Sequence, residues 1–453
     1  MGHYAANLEE AVTLAARRRP EPKMLEGLAS AIDKRRDEII RTASEESALT
    51  PAELAPEFDR TTGTLRLFAS YTRDGSWSKG EHEPRPGAGE ASIGPPHDLR
   101  RVLVPLGEVV AIFGASNFPL AYGVLGGDTA SALAAGCGVV VKEHPAHPRT
   151  GRLFAAIAAE VGAPVGYVLN EDPRDTSVAR ALVAHPRVCG VGFTGSVAGG
   201  MAIDAMGRDR PRPIPVFAEM GSANSVVITP GADAARGAMI GLALGASLVA
   251  RHGQQCTKPG LIFMPRGGHS LESLAAAVGA APARDMLTPW VRDGYMKRVD
   301  ACVAVPGVRP IVPAQRPKGT RDGAPALYAT TLANWTQQPT LHEEVFGPFG
   351  LVIEYDHINE VMDAPVPYAL ACTLHADLPG ELELARRLAS LLISRCGRFI
   401  YGGVPTGVRV AAAMVHGGPF SATNRPESTA VGPHAIQRWC RPVCLQEVPQ
   451  ELG

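Results

Sequence analysis

The chain has 453 residues, 45% of them hydrophobic and 20% charged, enough for roughly two or three globular units. Its 44 lysines and arginines balance 45 aspartates and glutamates to a net charge of −1, so no global field draws it to nucleic acid or to an anionic membrane. It shows neither a long uninterrupted apolar run nor a signal-peptide pattern, which predicts a cytoplasmic protein with a small-molecule partner. Eight cysteines in so long a chain are not a disulfide scaffold, so we expect reduced thiols.

The first hundred residues carry two helical patterns and then a boundary. Apolar positions from 22 to 48 fall mostly on one helical face, which predicts an amphipathic surface helix, and a second helix is predicted from 53 to 67. Residues 75–96 then collect Gly, Pro, Glu and Ser, a composition typical of a domain boundary or of an excursion from the fold.

From residue 109 onward, short β-branched runs alternate with helical stretches. The predicted strands are Val109–Phe113, Val139–Val141, Gly166–Leu169, Val188–Val191 and Ser225–Ile228. The predicted helices between them span 122–135, 150–161, 176–184 and 196–206. Such alternation favours βαβ units and a mostly parallel sheet, so the predicted fold class is α/β.

An almost wholly apolar helix from 232 to 250 opens a second unit. The same pattern then continues with strands at 261–264, 351–354 and 398–401 and a helix at 381–392. Residues 439–453 alternate loosely between apolar and polar, which predicts an edge strand that pairs elsewhere in the fold.

Three polar residues stand in contexts that suit catalysis. Cys256 lies in GQQCTKPG, a glycine-flanked turn where an exposed thiol can be activated as thiolate. Glu219 lies in the apolar stretch VFAEMGSANSVVI, where burial implies either an ion pair or a raised pKa suited to a general base. Asn117 follows a strand in IFGASNFPLA and can donate to a developing oxyanion. The structural alternatives are a buried cysteine, an exposed strand-end glutamate and a helix-capping amide.

Two further motifs are weak on their own. The segment Phe193–Ser196 ends a strand and begins a helix, where N–H groups can meet a phosphate, but neither GxGxxG nor a Walker motif is present. His144 and His147 in HPAHP invite a metal interpretation, yet the adjacent prolines oppose a ligand-bearing helix, so we expect solvent-facing loop residues. The cysteines at 440 and 444 lack a matching second pair, and no metal site is predicted.

Taken in order, the segments SNFPLA, VVVKEHPAHP, GFTGS, AEMGSANSV, GQQCTKPG and EEVFGPF resemble the aldehyde dehydrogenase superfamily. The resemblance implies a Rossmann-like cofactor domain at 1–79 and 104–231, an α/β catalytic domain at 232–432, and an oligomerisation element at 80–103 and 433–453. It also implies a homodimer or homotetramer. Relatives usually begin with a further segment that contains a strand pair, so either this gene is compact or its start was placed late.

The same resemblance implies a role for each candidate residue. Cys256 is the expected nucleophile, Glu219 the general base, and Asn117 an oxyanion donor together with the Cys256 N–H. The implied cofactor contacts are Lys142 at the adenosine ribose, Gly195 and Ser196 at the pyrophosphate, Glu344 at the nicotinamide ribose and Phe346 at the nicotinamide. The implied reaction is NAD(P)-dependent oxidation of an aldehyde to a carboxylate through a thiohemiacetal and a thioester.

Further segments, including TTGTLRLFA and MVHGGPFSATNRPESTAVG, resemble the branch that contains α-ketoglutarate semialdehyde dehydrogenases and NADP-dependent fatty aldehyde dehydrogenases. The expected substrate is a semialdehyde such as α-ketoglutarate semialdehyde. Medium- or long-chain fatty aldehydes, acyl transfer to coenzyme A, and a silent scaffold stay open as alternatives. Pro145 stands where many relatives carry a carboxylate for the ribose hydroxyls, which favours NADP over NAD. Arg251 and Lys258 either favour an acidic aldehyde or face solvent.

Overall fold

The computed structural model describes residues 7–17, 19–87, 90–170, 172, 175–316 and 319–452. Its helices are α1 (Leu8–Ala16), α2 (Pro22–Asp33), α3 (Arg36–Ser47), α4 (Pro51–Tyr71), α5 (Gly127–Ala134), α6 (Pro148–Val161), α7 (Ser177–Ala184), α8 (Val197–Arg208), α9 (Pro230–Val249), α10 (Ser270–Ala280), α11 (Pro289–Val303), α12 (Leu332–Gln337), α13 (Asn359–Asp363) and α14 (Leu382–Ile393).

Its strands are β1 (Lys79–Glu83), β2 (Leu99–Pro105), β3 (Val109–Phe113), β4 (Gly138–Lys142), β5 (Val165–Val168), β6 (Val188–Thr194), β7 (Val216–Glu219), β8 (Asn224–Ile228), β9 (Pro259–Pro265), β10 (Arg284–Asp285), β11 (Arg309–Val312), β12 (Asp322–Gly323), β13 (Ala326–Thr331), β14 (Phe349–Tyr355), β15 (Ala369–His375), β16 (Cys396–Tyr401) and β17 (Cys440–Gln446). Both the helix and strand content fit the predicted α/β class.

A five-stranded parallel sheet has the order β5-β4-β3-β6-β7. The chain runs outward from β3 to β5 and then crosses to the other side with β6 and β7. The strand order therefore reverses between β3 and β6, and ligands bind at the carboxyl ends of strands beside such a reversal. Asn117 follows β3, Gly195 follows β6 and Glu219 ends β7, so three candidate residues lie at this edge.

A seven-stranded sheet forms the second layer, with the order β11-β13-β14-β9-β8-β15-β16. All neighbours are parallel except β11, which pairs antiparallel with β13 at one edge. Strand β8 belongs to this sheet although it precedes residue 231. We therefore propose a domain boundary between Glu219 and Asn224, where the chain passes from one sheet to the other.

A separate antiparallel sheet has the order β1-β2-β17. It joins the 80–103 excursion to the C-terminal tail, and β17 is an edge strand that pairs with β2 from Cys440 opposite Pro105 to Gln446 opposite Leu99. The expected edge strand at the tail is confirmed. The ends of the expected domains, residues 1–6 and 453, lie outside the described residues.

Two predicted helices differ from those observed. The segment 22–48 forms α2 and α3, because Arg35 leaves the helical region with φ −115° and ψ 22°. This bend turns Ile39 of α3 into the same core as Leu28 of α2. The helix predicted from residue 122 begins only at Gly127, since residues 119–126 form consecutive turns and bends.

The apolar helix predicted from 232 to 250 is α9, which continues as a short turn to Gly253. By length and composition alone the segment Pro230–Gly253 is able to cross a membrane, but 50% of its most apolar window is buried within the protein. Ile240 and Leu244 of α9 pack with Leu274 of α10 and Ile262 of β9. The helix therefore covers one face of the seven-stranded sheet, which accounts for its composition.

Candidate active site

Two cavities meet at Cys256. The larger cavity, about 870 Å³, is lined at the carboxyl ends of β6 and β7 and by the segment 342–346. The smaller cavity, about 650 Å³, is lined by α4 and by residues 407–410. Four residues line both cavities: Phe118, Tyr122, Cys256 and His416. The expected nucleophile is therefore open to a ligand from either side.

A strained turn presents Cys256 at this junction. Arg251 and His252 have φ values of 50° and 56°, in the left-handed region that only glycine adopts easily, and Gly253 follows with φ 64°. A Cβ at Gly253 would overlap the carbonyl of Gly347. Strain of this kind persists only where surrounding contacts hold it, and it concentrates at functional sites.

One buried ion pair supplies many of the contacts that keep this strained turn in place. Arg251 Nη2 donates to the Glu57 carboxylate at 2.8 Å and also to the Asn117 carbonyl at 2.8 Å. Glu57 in turn accepts from the N–H groups of Leu120 and Ala121 at 2.8 and 3.0 Å. The pair thus joins α4, the Asn117 loop and the nucleophile turn. Arg251 does not face solvent, and Glu57 balances its charge.

Asn117 is buried beside the nucleophile turn. Its Nδ2 donates to the carbonyl of Gln254 at 3.0 Å, which fixes the orientation of the amide. An amide nitrogen carries two protons, so the second can be donated into the larger cavity that Asn117 lines. The structure brings the expected oxyanion donor and nucleophile together.

The Cys256 thiol faces a histidine that the sequence did not single out. Its Sγ lies 3.8 Å from His416 Nε2. Burial raises the pKa of the thiol to about 12, and burial lowers the pKa of His416 to about 3. Both groups are neutral at pH 7, so the contact is a thiol-to-imidazole hydrogen bond that orients Sγ. The segment MVHGGPF carries this histidine, and its adjacent glycines were the available signal.

Glu219 ends β7 within the wall of the larger cavity. Neither of its carboxylate oxygens has a hydrogen-bond partner among the described residues. Burial raises the pKa of Glu219 to about 8, opposed by the Arg438 charge and reinforced by Asp128. The alternative of an exposed strand-end glutamate is wrong, since only 3% of this residue is exposed. A buried carboxylate near neutrality suits a general base.

Gly195 and Ser196 lie where β6 turns into α8. Ser196 Oγ accepts from Gly199 N–H at 3.1 Å and so caps the helix. The Gly195 N–H is already donated to the Glu219 carbonyl at 3.0 Å. The helix N–H groups without an intrahelical partner belong to the first turn, where Val197 and Ala198 line the larger cavity. An anionic ligand there meets the N-terminus of α8.

Glu344 and Phe346 also line the larger cavity. Glu344 Oε1 is buried without a partner among the described residues, and burial raises the pKa of this carboxyl against the opposing Lys258 charge. Lys258 is 2% exposed and donates to the Phe349 carbonyl at 2.7 Å. Lys258 therefore lies behind Glu344, away from both solvent and the smaller cavity.

The residues of the loop after β4 do not line the larger cavity. Lys142 does not line the larger cavity, and its Nζ donates to the Glu143 carbonyl at 2.7 Å. The two histidines of this loop are not solvent-facing: their rings stack 4.8 Å apart, and His147 Nε2 contacts the Ala115 carbonyl oxygen at 2.9 Å. Across the described residues, no group of three or more His, Cys, Asp or Glu side chains is placed to hold a metal ion.

The arrangement of a cysteine between two cavities, with a buried carboxylate and an amide beside it, agrees with the sequence comparison. A model of the aldehyde dehydrogenase family matches residues 6–413. The chain belongs to the aldehyde dehydrogenase family. The predicted α/β fold and the expected enzyme class of this aldehyde dehydrogenase are both confirmed.

Two curated relatives match most of this aldehyde dehydrogenase. It is 43% identical over 438 residues to alpha-ketoglutaric semialdehyde dehydrogenase 2 of Azospirillum brasilense, covering 94% of this chain and 82% of that enzyme. It is 38% identical over 449 residues to alpha-ketoglutaric semialdehyde dehydrogenase of Acinetobacter baylyi, with the same two coverages of 94% and 82%. Both relatives are named for the oxidation of a semialdehyde.

Among solved structures, proline utilization A of Bradyrhizobium japonicum has a similar fold, with a TM-score of 0.81 and 23% identity. The match covers 98% of this chain but only 45% of that protein, so this aldehyde dehydrogenase spans less than half its length. At this identity the likeness shows the fold alone.

Proposed function

We propose that this aldehyde dehydrogenase oxidises a semialdehyde, such as α-ketoglutarate semialdehyde, to the carboxylate with NAD(P). The observation that carries the proposal is the position of Cys256 between two cavities, one with the features of a dinucleotide site and one open to a small aldehyde. The names of the two curated relatives support the substrate class.

The larger cavity fits a dinucleotide in three respects. The unpartnered Glu344 Oε1 can accept from a ribose hydroxyl, and the first turn of α8 can meet a phosphate. Gly195 also lines this cavity, and a Cβ there would lie 2.7 Å from Phe193 Cζ, so only glycine fits beside that ring. When bound there, NAD(P) supplies a hydride acceptor.

In the first half of the reaction, Cys256 Sγ forms a bond to the aldehyde carbon. The thiol proton is released to solvent through the smaller cavity, because the neighbouring His416, with a pKa of about 3, is too weak a base to hold it. Asn117 Nδ2 and the Cys256 N–H donate to the oxyanion, a contribution of about 3 kcal/mol for each such donor.

In the second half, Glu219 removes a proton from water, the water oxygen bonds to the thioester carbon, and the C–S bond breaks to release the carboxylate product and the Cys256 thiolate. Glu219 lines the larger cavity and both of its carboxylate oxygens are without partners among the described residues, so they are available to a water that enters once the cofactor has moved. Transfer of the acyl group to coenzyme A needs no such base. The buried carboxylate therefore favours hydrolysis over the coenzyme A alternative and over a silent scaffold.

We propose that NADP is accepted at least as well as NAD. Pro145 offers no carboxylate to repel a 2′-phosphate, and Glu143 is 1% exposed and held by Arg152 Nε at 2.9 Å. Lys142, at the end of β4, is the candidate for the adenosine ribose. The variant Pro145→Glu is expected to raise KM for NADP several-fold while KM for NAD changes little, and equal effects on both would contradict this preference.

We also propose a cytoplasmic homodimer or homotetramer in which the β1-β2-β17 sheet is the oligomerisation element. Support comes from the outer strand β1 of that sheet, which is exposed along its whole length. Light scattering of the purified protein tests the assembly. A monomer at micromolar concentration would contradict it.

The activity itself is tested by absorbance at 340 nm. Purified enzyme is mixed with α-ketoglutarate semialdehyde, succinate semialdehyde or a medium-chain aldehyde, each with NAD and with NADP. We expect the semialdehydes to give the fastest formation of reduced cofactor. Failure to reduce either cofactor with every aldehyde would refute the proposed function.

A further inference from the structure

We infer that Arg60 and the Tyr122 hydroxyl form a subsite for the substrate's distal carboxylate in the smaller cavity. The preferred substrates are then short ω-oxocarboxylates rather than neutral aldehydes of the same length. This inference rests on the proposed function, which it deepens by naming the residues that select the substrate.

Among the charged side chains that line the smaller cavity, one cation has no acidic partner among the described residues. Glu57 is paired with Arg251 at 2.8 Å. Glu53 is paired with Arg284, whose Nη1 and Nη2 donate to its two carboxylate oxygens at 3.0 and 2.8 Å. Within the described residues, Arg60 has no carboxylate partner, so the cavity wall carries a net positive charge at this position.

The guanidinium of Arg60 is held in place without being neutralised. Its Nη2 donates to the Tyr122 hydroxyl at 3.1 Å, and its central carbon lies 5.3 Å from the centroid of the Tyr122 ring. The remaining N–H groups of a guanidinium suit the two oxygens of a carboxylate. Arg60 is half-buried, so a ligand that binds it is partly removed from water.

Tyr122 supplies a second donor to the same ligand. Its oxygen accepts from Arg60, which leaves its own proton for an anion. Burial raises the pKa of Tyr122 to about 12, so the hydroxyl stays protonated at the pH of the reaction. One guanidinium and one hydroxyl thus point to the same carboxylate.

A chain of contacts links this subsite to the nucleophile. The Tyr122 ring lies 6.3 Å from the His416 ring, and His416 Nε2 lies 3.8 Å from Cys256 Sγ. Arg60 and Cys256 therefore line the same cavity, with the Tyr122 and His416 side chains between them.

The walls between the two ends are largely apolar. Leu67, Phe118, Val408 and Val410 line the smaller cavity together with Arg60 and Cys256. They can contact the methylene carbons of the substrate, and apolar walls strengthen the attraction between Arg60 and an anion by lowering the local dielectric. A neutral aldehyde gains the methylene contacts but brings no anion to Arg60.

The test compares 5-oxopentanoate with pentanal, which share a five-carbon chain and differ in the carboxylate. In Arg60→Met we expect kcat/KM for 5-oxopentanoate to fall about 100-fold, mostly through KM, with pentanal changed less than about threefold. Arg60→Lys should recover part of the loss because it keeps the charge. Equal losses for the two aldehydes, or no loss for either, would overturn the subsite.

A matched control lies on the same helix. Arg66 pairs with Glu26 and Asp33 on the surface, outside both cavities, and Arg66→Met should leave both rates unchanged. If Arg60→Met does not fold, inhibition of the wild type by glutarate decides. We expect glutarate to compete with the aldehyde at least tenfold better than pentanamide does, and equal inhibition would overturn the subsite.

The same assays separate failure of the subsite from failure of the proposed function. A wild type that oxidises 5-oxopentanoate and pentanal with equal kcat/KM overturns the carboxylate subsite and keeps the dehydrogenase. A wild type that reduces neither cofactor with any aldehyde refutes the dehydrogenase itself.

Discussion

The two cavities that meet at Cys256 differ in how their charges are balanced. In the larger cavity, Glu219 has two buried oxygens and Glu344 one buried oxygen without partners among the described residues. In the smaller cavity both acidic side chains are paired, and Arg60 has no carboxylate partner among the described residues. Buried carboxyl oxygens without partners therefore lie on one side of the nucleophile, and a guanidinium without a carboxylate partner lies on the other.

This difference in charge gives the two cavities different functions. Unpaired buried carboxylates have raised pKa values, so they can take protons from water and accept hydrogen bonds from ribose hydroxyls. An unpaired guanidinium in an apolar cavity selects an anion. The larger cavity thus provides base catalysis and cofactor binding, while the smaller one provides substrate selection, and Cys256 belongs to both.

Removing the shared residue should have the largest effect. For Cys256→Ser we expect kcat/KM to fall by at least about 10⁴, because a hydroxyl is a far weaker nucleophile than a thiol. Binding of the reduced cofactor, measured by fluorescence titration, should be unchanged because the larger cavity stays intact. Turnover within tenfold of the wild type would show that the two cavities do not share this nucleophile.

The next largest effect belongs to the base in the larger cavity. For Glu219→Gln we expect steady-state kcat to fall about 10³-fold, since a general base contributes about 10²–10⁴. An acyl-enzyme should accumulate, detectable by mass spectrometry. The control is Glu108→Gln, which removes a surface partner of Arg187 and should leave kcat unchanged. A slow variant without an acyl adduct would place the role of Glu219 before the thioester.

Loss of the oxyanion donor should cost less. For Asn117→Ala we expect kcat to fall about 10²-fold, at the lower end for such a donor, because the Cys256 N–H remains. The change also removes the hydrogen bond to Gln254, so thermal unfolding should be measured alongside. An unaltered kcat in a stably folded variant would assign Asn117 the structural role that the sequence also allowed.

Much of the fold was predictable because periodicity reports burial. The strands at 109–113 and 225–228 were found nearly to the residue, since both are wholly buried and rich in β-branched side chains. The division of 22–48 into two helices was missed because the bend at Arg35 changes the direction of the chain without interrupting the apolar pattern. Such bends depend on packing against a distant element.

The site was predictable where a single segment carries the chemistry. Cys256, Glu219 and Asn117 each stand in a distinctive motif, and all three line the larger cavity. The pairing of Arg251 with Glu57 was not predictable, since 194 residues separate them along the chain. Arg60 was missed because its distinguishing feature appears only in the folded protein: unlike Arg251 and Arg284, it has no carboxylate partner among the described residues.

A smaller effect is the dependence of turnover on pH. Burial raises the pKa of Glu219 to about 8, so the base is mostly protonated at pH 7 and mostly ionised at pH 9. Where hydrolysis limits turnover, kcat should therefore rise about tenfold between these pH values and level off above. Glu219→Gln should show no such rise. A wild-type profile that is flat or falls over this range would contradict Glu219 as the titrating base.

The smallest effect concerns stability, and its sign follows from the same carboxyl group. Glu219 has a raised pKa of about 8 in the folded protein against 4.5 as its ordinary value, so the folded state binds a proton that the unfolded state releases. The wild type therefore loses stability as pH rises from 4.5 through 8, whereas Glu219→Gln has no charge to bury. We expect the variant to unfold at a higher urea concentration than the wild type at pH 9, with the difference shrinking toward pH 5. A variant less stable than the wild type at pH 9 would mean that the ionised carboxylate has a partner in the larger cavity.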